Sequence, residues 1–386
     1  MPYFSFSLKK KFILTYKFNS EINISKLENN IKYFSKNTKL WKLFNDKKFS
    51  EYFNFIQYEK RNKINSLGKN ILFCLPPSIG LGDSIEYAKS IKSIIESKKF
   101  KRVGVAFVGK YSLIFRKYFQ IDDIYEEFIS ERSLNLFDSV FHLTLEIDDL
   151  TNQKYQRADI EKVINSYFNV KKFEKKHAVL KHLKKKLSLF PISSSPIRTM
   201  PIYLINHIIK KFEKKIKIEI ILDRSSDMSN LIEKNLYIKD VEILNPTNVK
   251  QLISIIEKIY FGIFMDSGPL HMAKLFNKKG VLITSSVGQD ILLNKYDLIK
   301  SFNNNYSSDY CSSPCGLVDL FSYENKIGCY DSIKIKKNKF YDKQNLFFSQ
   351  RGISKKKYVN FISNPVNCLK NIEKNELVKM IEESIN

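Results

Sequence analysis

The sequence predicts an α/β protein made of two Rossmann-like domains with parallel sheets facing across a cleft, preceded by an N-terminal extension. Two observations carry this expectation. Apolar runs of strand length alternate with stretches of helical period, the grammar of a parallel sheet covered by helices. That alternation then occurs twice, on either side of a break near Phe190-Pro191. Two such halves imply a ligand crevice at the carboxyl ends of the strands.

Taken in order, residues 1–65 read as an accessory extension. Tyr3–Leu8 and Phe12–Leu14 alternate as a strand pair does, whereas Ile24, Leu27, Ile31 and Phe34 fall at helical spacing, which predicts helix through much of Asn19–Tyr58. The first domain, 66–190, opens on the buried strand Ile71–Leu75. A glycine loop, Gly80-Leu-Gly-Asp83, leads into a helix from Ser84 to about Lys98, with Asp83 and Glu86 spaced as a capping box. Val103–Val108 and Asp138–Leu143 are further strands, and Tyr111–Phe119 a helix. Residues 150–188 read as helical and strongly basic, a solvated face.

The second domain, 191–305, begins with Pro191-Ile-Ser-Ser-Ser-Pro-Ile-Arg198 and a helix through Tyr203, Ile205, Ile208 and Phe212. Strands follow at Ile216–Leu222 and Val241–Leu244, and a helix at Asn248–Tyr260. Then comes Phe261-Gly-Ile-Phe-Met-Asp-Ser-Gly-Pro-Leu-His-Met-Ala-Lys-Leu-Phe276, a strand, a turn and a helix opening at Gly268-Pro269, where proline's missing N–H costs nothing. Gly280–Ser286 is the next strand. From 306 to 386 the pattern changes to a cysteine-containing segment closed by a helix bearing Leu377, Met380 and Ile381.

Composition bounds the function classes. Apolar residues make up 43% of the 386, enough for two globular cores and too many for a disordered chain. The net charge of +25 suggests an anionic partner, yet the joint excess of Lys, Asn and Ile is what an AT-rich coding sequence would impose. No window reaches the ~18 uncharged apolar residues of a spanning helix, and the N-terminus lacks the order of a secretion signal. The cytoplasm is therefore the expected compartment, with thiols or metal ligands expected of the cysteines rather than disulfides.

Three loops hold the candidate chemistry: Gly80–Asp83, Ser193–Arg198 and Asp266–His271. A helix opening at Gly268 presents free N–H groups and a positive dipole end to an anion. Ser193, Ser194 and Arg198 can hydrogen-bond and charge-pair a diphosphate. Asp83 suits a general base, and equally a helix cap; His271 suits a phosphate contact, and equally a core histidine. The chain has no Asp-x-Asp pair to hold a divalent ion on a diphosphate, so leaving-group charge falls to the helix dipole, serines and arginine.

These residues carry a resemblance. Gly80-Leu-Gly-Asp83, and Met265-Asp-Ser-Gly-Pro-Leu-His-Met-Ala273 followed by Gly280-Val-Leu-Ile-Thr-Ser285, resemble the two signature regions of glycosyltransferase family 9, the lipopolysaccharide heptosyltransferases. Pro191–Arg198 is similar to that family's phosphate loop, although Arg198 and Thr199-Met200 stand where lysine and an aromatic are usual. The resemblance implies a GT-B fold and an inverting transfer of a sugar from a nucleotide diphosphate without a catalytic metal or other cofactor. Asp83 then matches the base acting on the acceptor hydroxyl, and Asp266 a contact to the donor sugar. Gly82, Ser193, Ser194, Arg198, Ser267, Gly268 and His271 match the donor side.

Cys311-x3-Cys315, Cys329 and Cys368 resemble the cysteine-bound metal finger of the autotransporter heptosyltransferases, which implies structural zinc or iron; free thiols are the alternative. The implied partners are a nucleotide-diphosphate sugar and a glycan, lipid-linked or protein acceptor, with peripheral association at the cytoplasmic face of the inner membrane. The rival reading is a non-catalytic basic protein that uses lysines 171–186 on nucleic acid or an anionic membrane, nucleic acid being the lesser expectation.

Overall fold

The computed structural model describes residues 4–9, 12–18, 21–37, 40–41, 47, 53–56, 68–76, 79–143, 159–173, 184–223, 226–237, 241–294, 296–308, 311–316 and 360–385. The chain divides into two compact units, Met1–Asn152 with Ile160–Glu174, and Gln153–Asp159 with Lys175–Asn386. No helix among the described residues is long and apolar enough to cross a membrane.

The first unit opens with β1 (Phe4–Leu8), β2 (Phe12–Phe18), β3 (Glu21–Leu27), β4 (Lys32–Ser35) and β5 (Phe53–Ile56). It continues with β6 (Asn70–Cys74), α1 (Leu81–Glu96), β7 (Arg102–Ala106), β8 (Ile124–Tyr125), β9 (Phe128–Ser130), α2 (Glu131–Leu134), β10 (Ser139–His142) and α3 (Ile160–Tyr167). Strands β5-β1-β4-β9 form an antiparallel sheet, β2 and β3 a hairpin, and β10-β6-β7-β8 a parallel sheet.

The extension is therefore β-rich where helix was expected between Asn19 and Tyr58. Its period is two. Tyr33 of β4 stacks on Phe6 at 5.6 Å and meets Phe128 edge-on at 5.5 Å, in one small core. The next residue, Phe34, points the other way and packs with Leu72 and Cys74 of the parallel sheet and with Phe107 and Phe137 beside it. One strand thus closes two cores. Helix α1 also starts earlier than the capping-box spacing suggested. Gly80 is its N-cap, with extended backbone (φ −72°, ψ 167°), and Ser84 donates its hydroxyl to the Gly80 carbonyl at 2.8 Å. Asp83 sits inside the first turn and is not the cap. Apolar Ile85, Ala88, Ile91 and Ile94 then form the buried stripe.

The second unit comprises β11 (Lys186–Phe190), α4 (Ile202–Phe212), β12 (Lys217–Ile221), α5 (Asp227–Asn235), β13 (Val241–Leu244) and α6 (Val249–Lys258). It continues with β14 (Phe261–Phe264), α7 (Gly268–Leu275), β15 (Lys279–Ile283), α8 (Gln289–Leu292), β16 (Ile299–Phe302), β17 (Ser307–Ser308), β18 (Cys311–Ser312), α9 (Asn367–Lys370) and α10 (Lys374–Ile385). Residues 150–188 are thus not helical throughout: Lys186–Phe190, expected to close the first domain, is a central strand of the second sheet. Its alternation hid behind the preceding lysines, and of those Lys186 pairs with Glu219 at 3.1 Å instead of facing open solvent.

The large sheet has the order β13-β12-β11-β14-β15-β16, all parallel. Renumbered from β11, this is 3-2-1-4-5-6, the order that reverses direction between its first and fourth strands. Helices α4 and α10 bury Leu204, Ile205, Ile208, Leu377 and Ile381 in the same core as β11 to β15.

Two facing glycines make the strand ends possible. Gly262 of β14 is the register partner of Gly280 of β15. A Cβ at Gly280 would lie 2.2 Å from the Gly262 carbonyl oxygen, and one at Gly262 would lie 2.1 Å from the Phe264 ring. The space kept open seats Phe264, which stacks on Phe190 of β11 at 5.1 Å and 15°. Gly280→Ala is expected to lower stability by about 2–3 kcal/mol through overpacking, read from the urea unfolding midpoint; an unchanged midpoint would show that β15 can shift freely.

Candidate active site

The reversal in strand order sets β11 beside β14, and the loops leaving their carboxyl ends are Pro191–Arg198 and Met265–Ser267. Two of the predicted loops, more than sixty residues apart in the chain, therefore meet at the topological switch point, where α/β sheets bind ligands. Phe190 and Phe264 end the two strands, so their stacked rings are the floor from which both loops depart.

Arg198 joins the loops. Its Nη1 donates to Asp266 Oδ2 at 2.9 Å and to the Asp266 carbonyl at 3.2 Å, while Nη2 donates to Ser194 Oγ at 2.8 Å. Ser193 Oγ donates to the same Asp266 carbonyl at 2.8 Å. Arg198 is 7% exposed and Asp266 1%, so each charge depends on the other for its solvation. Thr199, which the sequence marked only as a departure from the resembled loop, ties the loop upon itself: its Oγ1 accepts from Ser193 N at 3.1 Å and donates to the Ser195 carbonyl at 2.9 Å. The signal was there in a threonine closing a Ser-Ser-Ser-Pro turn, since such hydroxyls compete for local backbone groups.

Ser267 is the N-cap of α7, and its side chain makes no capping bond to the first turn. Its hydroxyl instead donates back to the Met265 carbonyl at 3.3 Å. Gly268 opens the helix with Pro269 beside it, and His271, 2% exposed, lies within its second half-turn. The structure thus gathers Ser193, Ser194, Arg198, Asp266, Ser267 and Gly268 at one edge of one sheet. The arrangement offers the Ser194 hydroxyl and a helix dipole to an anion, with the arginine held by the aspartate.

In the first unit the sheet order β10-β6-β7-β8 also reverses at its first strand, β6. The loop after β6 leads to Gly80, Gly82 and Asp83. The Asp83 carboxylate lies close to Gly80: a Cβ there would be 3.4 Å from Asp83 Oδ2, an ordinary contact distance. At the same carboxyl edge lies Lys36, which the sequence did not mark. Its Nζ, 5.6 Å from the Phe107 ring centroid, donates to the Leu75 carbonyl at 3.4 Å, and burial pushes its pKa below the usual lysine range.

No protein-family model matches the chain, and no curated protein matches its sequence. Solved structures do. The iron-containing dodecameric glycosyltransferase TibC from enterotoxigenic E. coli is similar over 100% of this chain and 92% of its own, with a TM-score of 0.50 and 9% identity. The chain shares the TibC fold. Lower similarity extends to the family 9 glycosyltransferase from Veillonella parvula (TM-score 0.46, 12% identity, 64% of this chain and 90% of that one). It extends also to E. coli heptosyltransferase WaaC (TM-score 0.43, 8% identity, 60% and 93%). The α/β architecture with parallel sheets in both units accords with the GT-B class expected.

Of the proposed metal ligands, Cys329 and the side chain of Cys311 lie outside the described residues. Among the described residues no group of three or more His, Cys, Asp or Glu comes together as a metal site. The segments of the other two cysteines do share an anchor. Ser313 N donates to the Tyr306 carbonyl at 2.7 Å, and Asn367 Nδ2 donates to the Tyr306 hydroxyl at 3.2 Å, beside half-buried Cys315 and buried Cys368 respectively.

Removing one member of the Arg198–Asp266 pair leaves a buried charge. Arg198→Met is expected to cost roughly 3–5 kcal/mol in chemical denaturation, and Arg198→Met with Asp266→Leu to recover most of it. Equal losses in the single and double variants would show that the pair is not the joint between the loops.

Proposed function

We propose that this chain is a glycosyltransferase that moves a sugar from a nucleotide-diphosphate donor to an acceptor hydroxyl with inversion and without a catalytic metal. The observation that carries the reading is the Ser193–Arg198–Asp266 junction beside the open N-terminus of α7, at the switch point of a 3-2-1-4-5-6 sheet. The shared fold with TibC, a glycosyltransferase, supports it.

In the proposed reaction the acceptor oxygen attacks the anomeric carbon and gives its proton to the Asp83 carboxylate. The bond from that carbon to the diphosphate oxygen breaks, and the nucleoside diphosphate leaves with the electron pair. The growing charge falls on the first-turn N–H groups and dipole of α7 and on the Ser194 hydroxyl, with the Ser193 and Ser267 hydroxyls turning to it from the Asp266 and Met265 carbonyls. Arg198 sets the position of Asp266, whose carboxylate addresses the donor sugar, and His271 lines the diphosphate side. A heptose as the sugar, a surface glycan, lipopolysaccharide or protein as the acceptor, and a cytoplasmic place at the inner membrane are further parts of this reading that rest on the resemblance.

Cys311, Cys315, Cys329 and Cys368 are proposed to hold a structural zinc or iron. Thiolate sulfur suits either ion, and its contribution would be to pin the chain after β18 to the α9 segment rather than to enter the reaction.

Asp83→Asn is expected to lower the rate of transfer by about 10²–10⁴-fold while leaving calorimetric binding of the donor nucleotide intact. Undiminished turnover would remove Asp83 as the base. Elemental analysis of the purified protein should find about one zinc or iron per chain; a small fraction of that ends the metal assignment.

A further inference from the structure

The loop after β15 carries three hydroxyls in a row, Thr284, Ser285 and Ser286, which are 3%, 1% and 2% exposed. The first is fully used. Thr284 Oγ1 donates to the Phe302 carbonyl at 3.1 Å and accepts from Asn304 N at 3.1 Å. The Ser285 and Ser286 hydroxyls are buried with no hydrogen-bond partner. A buried polar group without a partner opposes folding, so proteins keep few of them, and those few call for an occupant or a function. Here two are adjacent.

Their position gives the clue. Phe264 of β14 pairs with Leu282 of β15 near the carboxyl ends of these adjacent parallel strands, so the segments that follow, Met265–Ser267 and Thr284–Ser286, leave the same edge of the sheet side by side. Neighbouring strands run about 4.8 Å apart, so the serine pair borders the loop that opens α7. Its backbone is also fixed from the other side. Ser313 donates its hydroxyl to the Ser285 carbonyl, Gly316 N donates to the Ser286 carbonyl at 2.6 Å, and Pro314 packs where a Cβ on Gly288 would be 3.2 Å from its Cγ. The Ser313–Gly316 strap engages both serine carbonyls and neither hydroxyl. The fold thus holds the loop rigidly and leaves its two donors unspent.

We propose that Ser285 and Ser286 form a phosphate subsite that extends the diphosphate site at the N-terminus of α7 and donates both hydroxyls to non-bridging phosphate oxygens of the donor. The proposal rests on the donor-binding reading given above. Neutral donors suit this place: they can stay buried without the desolvation cost of a lysine, and their bonds strengthen as the leaving group gains negative charge. The Ser313–Gly316 strap would keep water from competing for them.

The test uses Ser285→Ala, Ser286→Ala and the double variant of the full chain, titrated calorimetrically with inorganic pyrophosphate, ADP and UDP, alongside thermal unfolding without any of these. The double variant should bind the probe that wild type prefers about 10- to 100-fold more weakly. Its unfolding temperature without probe should hold or rise, because the lost hydroxyls bonded nothing in the protein. Affinity within about twofold of wild type, or a fall in the unfolding temperature without probe, overturns the subsite while leaving the donor reading in place. Wild-type protein that binds none of the three probes overturns the donor reading and the subsite with it.

Discussion

Two opposite charges 2.9 Å apart, each almost wholly removed from water, hold together the two loops from which the candidate site is made. Neither charge would be stable there alone, because an ion in a protein interior must be paired and hydrogen-bonded to offset its lost hydration. Asp266 can be buried only while Arg198 reaches it, and Arg198 reaches it only while β11 and β14 are neighbours. The pair therefore ties the chemistry of the loops to the topology of the sheet.

Beneath that pair lies a second requirement, of packing instead of charge. Phe190 and Phe264 stack at the last residues of the two strands, so both loops start from one flat aromatic surface. The Phe264 ring fits because Gly262 and Gly280 have no side chains where β14 and β15 face each other. A stretch that reads as glycine and phenylalanine scattered through apolar strands is in fact one device. The glycines admit the ring, the ring seats the loops, and the loops bring arginine to aspartate.

The first unit shows how a periodicity can mislead. Ile24, Leu27, Ile31 and Phe34 do stand at helical spacing, yet the polar Glu28-Asn29-Asn30 divides β3 from β4, and in β4 the adjacent Tyr33 and Phe34 face opposite cores. Burial on both faces removes the polar alternation by which a strand is recognised. The start of α1 misled for a different reason. Asp followed three residues later by Glu matches a cap, but Gly80, in extended backbone, already ends the loop, and the helix takes up Asp83 in its first turn. That takes the carboxylate off capping duty and sets it in the first turn, beside Gly80.

The alternation of strands and helices, the polar loop Ser193–Arg198, and the helix opening at Gly268-Pro269 were legible in the sequence because each depends on residues close together in the chain. Propensity, turn chemistry and the helix end are local. What only the tertiary structure decided was which strands are neighbours, and hence that Arg198 serves Asp266, that Thr199 knots its own loop, and that the Ser285 and Ser286 hydroxyls are buried without partners while the strap engages their carbonyls. Strand pairing joins residues more than sixty positions apart, and no local signal in one sequence specifies that choice. The polar residues of the site could be named from the chain; their partners had to wait for the sheet.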